Sequence, residues 1–210
     1  MRNTLLQPFT AEDFRLRAAT EKGPFVGSDY GDHSLNPDLR DAIVRDGLRD
    51  AAVLIPVVDR GEEASVILTK RTEKLRSHSG QISFPGGRLD ATDPTPEHAA
   101  LRETEEEIGL APDFIEVVGR MPDYVSGSGF RIAPILSVVR PDFRLRINPD
   151  EVDDAFEVPL SFLMDPANHT RDSRIWQDKE RFYYTMPFGE RYIWGVTAGI
   201  IRTLYERLYA

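Results

Sequence analysis

Glu103, Glu106 and Glu107 are the residues whose types and spacing most restrict the chemistry of this chain. An α-helix turns about 100° per residue, so positions i, i+3 and i+4 share a face. Carboxylates at that spacing repel, weakening an isolated helix by about 0.2–0.5 kcal/mol per pair. A hard divalent cation would neutralise them, because oxygen donors suit Mg²⁺ or Mn²⁺. The plainer alternative is a solvated acidic face, and the flanking residues argue against it. Phe84-Pro85-Gly86-Gly87 stands upstream, followed by a polar loop rich in Asp, Thr and Pro. Gly109 falls where a helix would stop, since glycine readily takes the left-handed cap conformation.

A basic cluster precedes these glycines: Lys70, Arg71, Lys74, Arg76 and His78. It reads either as a solvated loop or as a set of anion contacts. The formal net charge is −9, so the field of the whole protein does not attract an anion and local cations must. The same charge argues against binding a nucleic acid backbone, which needs a basic footprint. His78 and Ser79 suggest a nucleophile, but no paired Asp motif accompanies them. Trp194 and Phe130 are aromatic faces able to hold a base, or simply core.

The chain has no cysteine, which excludes a disulfide framework and a thiolate metal site and fits a reducing compartment. No apolar run approaches the roughly 18 residues of a membrane span. Met1 to Pro8 lacks the long apolar stretch of a signal peptide. A cytoplasmic protein with no membrane partner is the expectation. Its 210 residues, 40% hydrophobic and 29% charged, suit one sizeable globular domain.

The elements that must position these residues follow from local pattern. Ala51 to Val58 predicts a buried strand, with Pro56 where no ladder bond is needed. Ser65 to Thr69 predicts its partner. Residues 97–108 predict the acidic helix, with Pro96 near its first turn. Phe114 to Met121, Phe130 to Val139 and Phe182 to Thr185 read as strands, and 122–129 as a mobile loop. Ile193 to Tyr209 predicts an amphipathic terminal helix, with Ile200, Leu204 and Leu208 at four-residue spacing. Before residue 49, Thr10 to Asp13 opens a short helix, 22–38 reads as loop, and Pro37 to Leu48 predicts a second helix capped by Asn36. The mixture suggests a sheet between helix layers.

Gly87, Arg102, Glu103, Glu106, Glu107, Gly109 and Leu110 together resemble the Nudix box, the signature of the Nudix hydrolases. There are two departures. Thr104 replaces an apolar residue, and the loop is one residue longer, with eight residues between Asp93 and Arg102. Asp93 takes the place of the family's loop glutamate, or Glu97 does, or neither. The segment from Ile67 to Gly87 resembles the signature of the coenzyme A diphosphatase branch, departing at Ile67 and Thr72. Asn148-Pro149-Asp150-Glu151-Val152 and Ile193 to Ala198 are also similar to that branch.

The resemblance implies an α/β fold, a Nudix-type α/β/α sandwich with a mixed β-sheet between helix layers. It implies a Nudix hydrolase domain over 49–210; residues 1–48, which the resemblance does not cover, read as a helical and loop extension packed on that domain, with covering the site or mediating a dimer left open as its role. It implies Mg²⁺ or Mn²⁺ held by Glu103, Glu106, Glu107 and the Gly87 carbonyl, and hydrolysis of coenzyme A or its derivatives to 3′,5′-ADP and a 4′-phosphopantetheine product. The catalytic set would be Arg102, Glu106, Glu107 and Glu151, with Arg102 orienting the glutamates or the loop. The general base stays open between Glu151 and the helix pair. Lys70, Arg71, Arg76 and His78 would bind the small-molecule substrate. A homodimer is left open. The alternatives are a diphosphatase for ADP-ribose, dinucleoside polyphosphates or another nucleoside diphosphate, and a nucleotide-binding module without catalysis.

Overall fold

A computed structural model describes residues 8–20, 30–39, 47–74, 79–176 and 178–210. Its centre is β1 (Arg49–Val58), a strand whose side chains are buried on both faces from Ala51 onward. Alternation sends Ala52 and Leu54 to one side, and Ala51, Ile55 and Val57 to the other. β1 runs parallel to β7 (Phe130–Val139) and antiparallel to β2 (Ser65–Arg71) and β4 (Gly86–Arg88). Pro56 lies between the β4 pairs at Ala51 to Val53 and the β2 pairs at Val57 and Val58, so its missing N–H breaks neither ladder. The order β3-β2-β1-β7-β5 carries β3 (Ile82–Ser83) and β5 (Ile115–Arg120). β6 (Tyr124–Val125) is added on β7 and β8 (Val152–Pro159) on β2. The sheet is therefore mixed.

Helices cover both faces. α2 (Pro96–Ile108) packs Ala99 and Ala100 on Ala52 and Leu54. Its start and stop are local chemistry. Thr95 Oγ1 accepts the His98 N–H at 3.3 Å, and Pro96 sits at the first helical position. Gly109, at φ 66°, turns the chain in the left-handed region. On the opposite face lie α1 (Ala11–Thr20), with Phe14 fully buried, and α4 (Gly195–Leu208), with Ile200, Ile201 and Leu204 buried. The Asp13 N–H donates to Thr10 Oγ1 at 3.1 Å, which caps α1. A short α3 (Leu160–Met164) leads to a second antiparallel sheet of β9 (Thr170–Trp176), β10 (Lys179–Phe188) and β11 (Arg191–Trp194).

Several expectations are corrected. The strand read at 182–185 is the middle of the longer β10, paired on both sides. Ile193 and Trp194 belong to β11 rather than to the terminal helix. β8 and β9 carry too many charged residues to be seen as strands by pattern. The loop at 122–129 contains β6 and is pinned. The Val125 N–H donates to Tyr30 O at 3.0 Å, and the Gly127 N–H and Tyr124 OH both donate to Asp32 at 2.7 Å. Most of the helix read over 37–48 lies outside the described residues. No described helix is long and apolar enough to cross a membrane.

Candidate active site

α2 presents its glutamates to three different surroundings. Glu107 is buried, its side chain 2% exposed. It accepts the Gly86 N–H at 3.1 Å and faces Arg71 Nη1 at 3.5 Å. Burial pushes its carboxyl up to about 7. The Gly86 N–H and Arg71 oppose that rise, and the charges of Glu103 and Glu151 add to it. Glu103 is half-buried and also raised, first by burial, against the pull of Arg102. Glu106 remains 55% exposed. The shared helical face is therefore not a shared environment.

Gly87 is required to be small. A Cβ there would lie 2.4 Å from the Glu103 carboxylate carbon and from Oε2. The carboxylate thus occupies the space that any other residue's side chain would take, beside the backbone of β4. Gly86, at φ +145°, is packed against the Ala52 carbonyl and Val53 Cα of β1, so both glycines of the pair have separate physical reasons.

Arg102 organises the loop and the helix. Its Nη1 lies 2.9 Å from Glu103 and 3.0 Å from Glu106. Its Nε and Nη2 grip Asp93 at 3.1 and 2.9 Å, and Nη2 donates to the Arg88 carbonyl at 3.4 Å. The Asp93 side chain is 1% exposed. The fork from Arg102, the Asp90 N–H and His98 hold its carboxyl well below the ordinary range, and the same pairing raises Arg102. Asp93, rather than Glu97, thus meets the box arginine, and the extra loop residue is absorbed without breaking that pairing.

Glu151 reaches the cluster by tertiary contact. The chain at 146–148 crosses the end of α2, where the N–H groups of Arg146 and Asn148 donate to the carbonyls of Ile108 and Glu107 at 2.7 and 2.9 Å. Those carbonyls have no partner within the helix. The Glu151 carbonyl then accepts the Thr72 N–H at 2.9 Å, and Asn148 Nδ2 touches its Oε1 at 3.4 Å. Nothing local in the sequence signals these contacts. Lys70 and Arg71 close β2, with partners Asp154 and Val152 on β8 and a shift of register between them. Arg76 and His78 lie outside the described residues. Trp194 meets Tyr183 edge-on at 5.3 Å, and Phe130 lies beneath Arg49.

The donor set is entirely oxygen, and a buried carboxylate raised by desolvation is short of positive charge. Both features fit a hard divalent cation. Among the described residues, though, no three His, Cys, Asp or Glu side chains already form a cation cluster. Arg102 engages Glu103 and Glu106 while Glu107 faces Gly86.

Comparison with known proteins agrees with this arrangement. The profile of the Nudix domain family matches residues 48–181. A protein of Enterobacter sp. described as the uncharacterized Nudix hydrolase NudL is 39% identical over 176 residues, covering 79% of this chain and 87% of that one. The Escherichia coli protein of the same description is 40% identical over 169 residues, with the same coverage. A crystal structure from Deinococcus radiodurans superposes with a TM-score of 0.50 at 14% identity, covering 79% of this chain and 88% of the other. That likeness concerns the fold alone.

Proposed function

Because this chain belongs to the Nudix hydrolase family, we propose that it hydrolyses the diphosphate bond of coenzyme A or its derivatives, releasing 3′,5′-ADP and a phosphopantetheine product. One contact carries the reading. Arg71, from the Ile67-to-Gly87 segment that resembles the coenzyme A diphosphatase signature, faces Glu107 of the box helix at 3.5 Å. The contact supports the reading because it joins that segment to the box helix.

Glu103, Glu106, Glu107 and the Gly87 carbonyl would hold Mg²⁺ or Mn²⁺. The ion, when bound, supplies charge stabilisation to the phosphoryl oxygens and lowers the pKa of water. Arg102 is a positioning residue. It fixes Glu103 and Glu106 relative to the loop through Asp93. Arg71 and Lys70 present positive charge to the substrate diphosphate, which a protein of net charge −9 otherwise repels. Glu151 or one of Glu106 and Glu107 accepts the proton of the attacking water. Glu151 is favoured on position, since the Asn148 N–H donates to the Glu107 carbonyl and Asn148 Nδ2 holds one Glu151 oxygen beside the helix end.

The test is product analysis by mass spectrometry. The protein is incubated with coenzyme A, acetyl-coenzyme A, ADP-ribose and a dinucleoside polyphosphate, each with Mg²⁺, with Mn²⁺ and with chelator. Metal-dependent 3′,5′-ADP from coenzyme A, well above turnover of the others, is expected. Preferential cleavage of ADP-ribose or the dinucleotide overturns the substrate while keeping the chemistry. Glu151→Gln should lower kcat with metal affinity unchanged; wild-type kcat would move the base onto the helix.

A further inference from the structure

Arg49, Arg88 and Phe130 come together at the adjoining ends of β1, β4 and β7. The register makes this so, because Arg49 pairs with Phe130 and Ala51 pairs with Arg88. The Arg49 guanidinium lies 4.0 Å over the Phe130 ring and that of Arg88 lies 6.0 Å from the same ring. Phe130 is half-buried while both arginines are exposed. Arg49 is also fixed from the side, since its Nη2 donates to the Ser128 carbonyl at 2.8 Å. Ser128 belongs to the loop that Asp32 pins through Gly127. Among the described residues neither guanidinium has a carboxylate partner, whereas the neighbouring Arg131 is paired with Asp50 at 2.7 Å.

Two positive charges on one aromatic ring, one of them fixed, are a poor use of arginine for stability alone, since exposed cation–π contacts contribute little. They suit an anion that is itself attached to a flat ring. Arg88 directly follows Gly87, whose missing side chain leaves room for the Glu103 carboxylate. Alternation along β4 turns Arg88 to the opposite side from Gly87. The arginine pair and the acidic cluster therefore flank a single three-residue strand, joined further by the Arg102 bond to the Arg88 carbonyl. A substrate held by its diphosphate at the cluster would bring its nucleoside end alongside.

We propose that Arg49, Arg88 and Phe130 form the subsite for a phosphate monoester on the nucleoside half of the substrate, with the ring of Phe130 backing the base or sugar. The proposal rests on the coenzyme A reading above, because coenzyme A carries such a phosphate at its ribose 3′ position. The subsite selects substrates through that group and takes no part in bond cleavage.

The experiment compares coenzyme A with dephospho-coenzyme A, which differs only in lacking the 3′-phosphate, in the wild type, Arg88→Ala and Arg88→Lys. A charge-assisted contact implies that Arg88→Ala lowers kcat/KM for coenzyme A about 10- to 100-fold, mainly through KM. Dephospho-coenzyme A should stay within about twofold of wild type, and Arg88→Lys should recover part of the loss as a point charge does. Equal losses on both substrates, or none on either, overturn the subsite. A binding arm keeps the proposal testable apart from turnover. Calorimetric titration of 3′,5′-ADP against 5′-AMP should favour the former in wild type, with the gap closing in Arg88→Ala. If wild type cleaves neither form of coenzyme A, the functional reading fails by itself. If the two nucleotides then bind equally, the subsite fails too.

Discussion

Alanine at Gly87 separates the site from the fold. The added Cβ would meet Glu103 at 2.4 Å, where ordinary contact begins at 3.4 Å. The carboxylate must therefore retreat by about 1 Å, and it can, because it ends a flexible side chain on a half-buried helix face. The fold has little reason to suffer. Gly87 carries no left-handed φ, and alanine restricts the unfolded chain, an effect of about 0.4–1 kcal/mol in favour of folding. The site has every reason to suffer, since a misplacement of about 1 Å costs about 100-fold in rate. Gly86→Ala is the control. Its Cβ would strike the Ala52 carbonyl at 2.4 Å and Val53 Cα at 2.6 Å, from φ +145°. Backbone does not step aside, so a loss on the order of 3 kcal/mol is expected. Thermal unfolding, Mn²⁺ titration and kcat/KM are measured on both variants. Gly87→Ala should melt within a few degrees of wild type, with turnover and metal affinity down about 100-fold. Wild-type turnover in Gly87→Ala, or a melting point as low as that of Gly86→Ala, refutes the reasoning.

Three further outcomes are expected. In chelator, the buried Glu107 binds its proton more tightly folded than unfolded, because its carboxyl rises from 4.5 to about 7. Its contribution to stability is thus complete below about pH 4.5 and is lost as pH rises through 7, by about 3 kcal/mol. Melting points from pH 5 to 8 should fall more steeply in the wild type than in Glu107→Gln, where the raised Glu103 carboxyl still contributes, and Glu107→Gln should be the more stable of the two at pH 8; a parallel fall in both defeats the assignment. Arg102→Lys replaces a fork by a point charge and releases Asp93 or the glutamates. Metal affinity should drop about 10- to 100-fold, read by calorimetric titration, and an unchanged affinity would leave Arg102 a surface ion pair. Chelator should abolish turnover, with Mg²⁺ or Mn²⁺ restoring it, and Glu103→Gln should lose the heat of Mn²⁺ binding. Turnover persisting in chelator would remove the metal from the reaction.

The acidic helix was legible because everything that defines it is local. Thr95 caps its N–H groups, Pro96 suits its first position, Gly109 takes the left-handed turn, and the i, i+3, i+4 spacing of its glutamates is a property of any helix. The buried strand β1 was likewise legible from an apolar run. What that spacing does not determine is the surroundings of each carboxylate. Glu107 is buried and Glu106 exposed because Gly86, Arg71 and the chain at 146–148 lie over one and not the other. Arg102 chose Asp93 through the path of a lengthened loop, which counting residues left open. β8 was hidden because a strand with one exposed face tolerates charges that break the apolar pattern, and β9 because it is exposed along nearly its whole length. The loop at 122–129 looked mobile because its anchor, Asp32, lies some 90 residues earlier in the chain. Local rules set the backbone of the helix. Which groups lose water, and which distant charges face each other, was set by sheet register and by what packs on top.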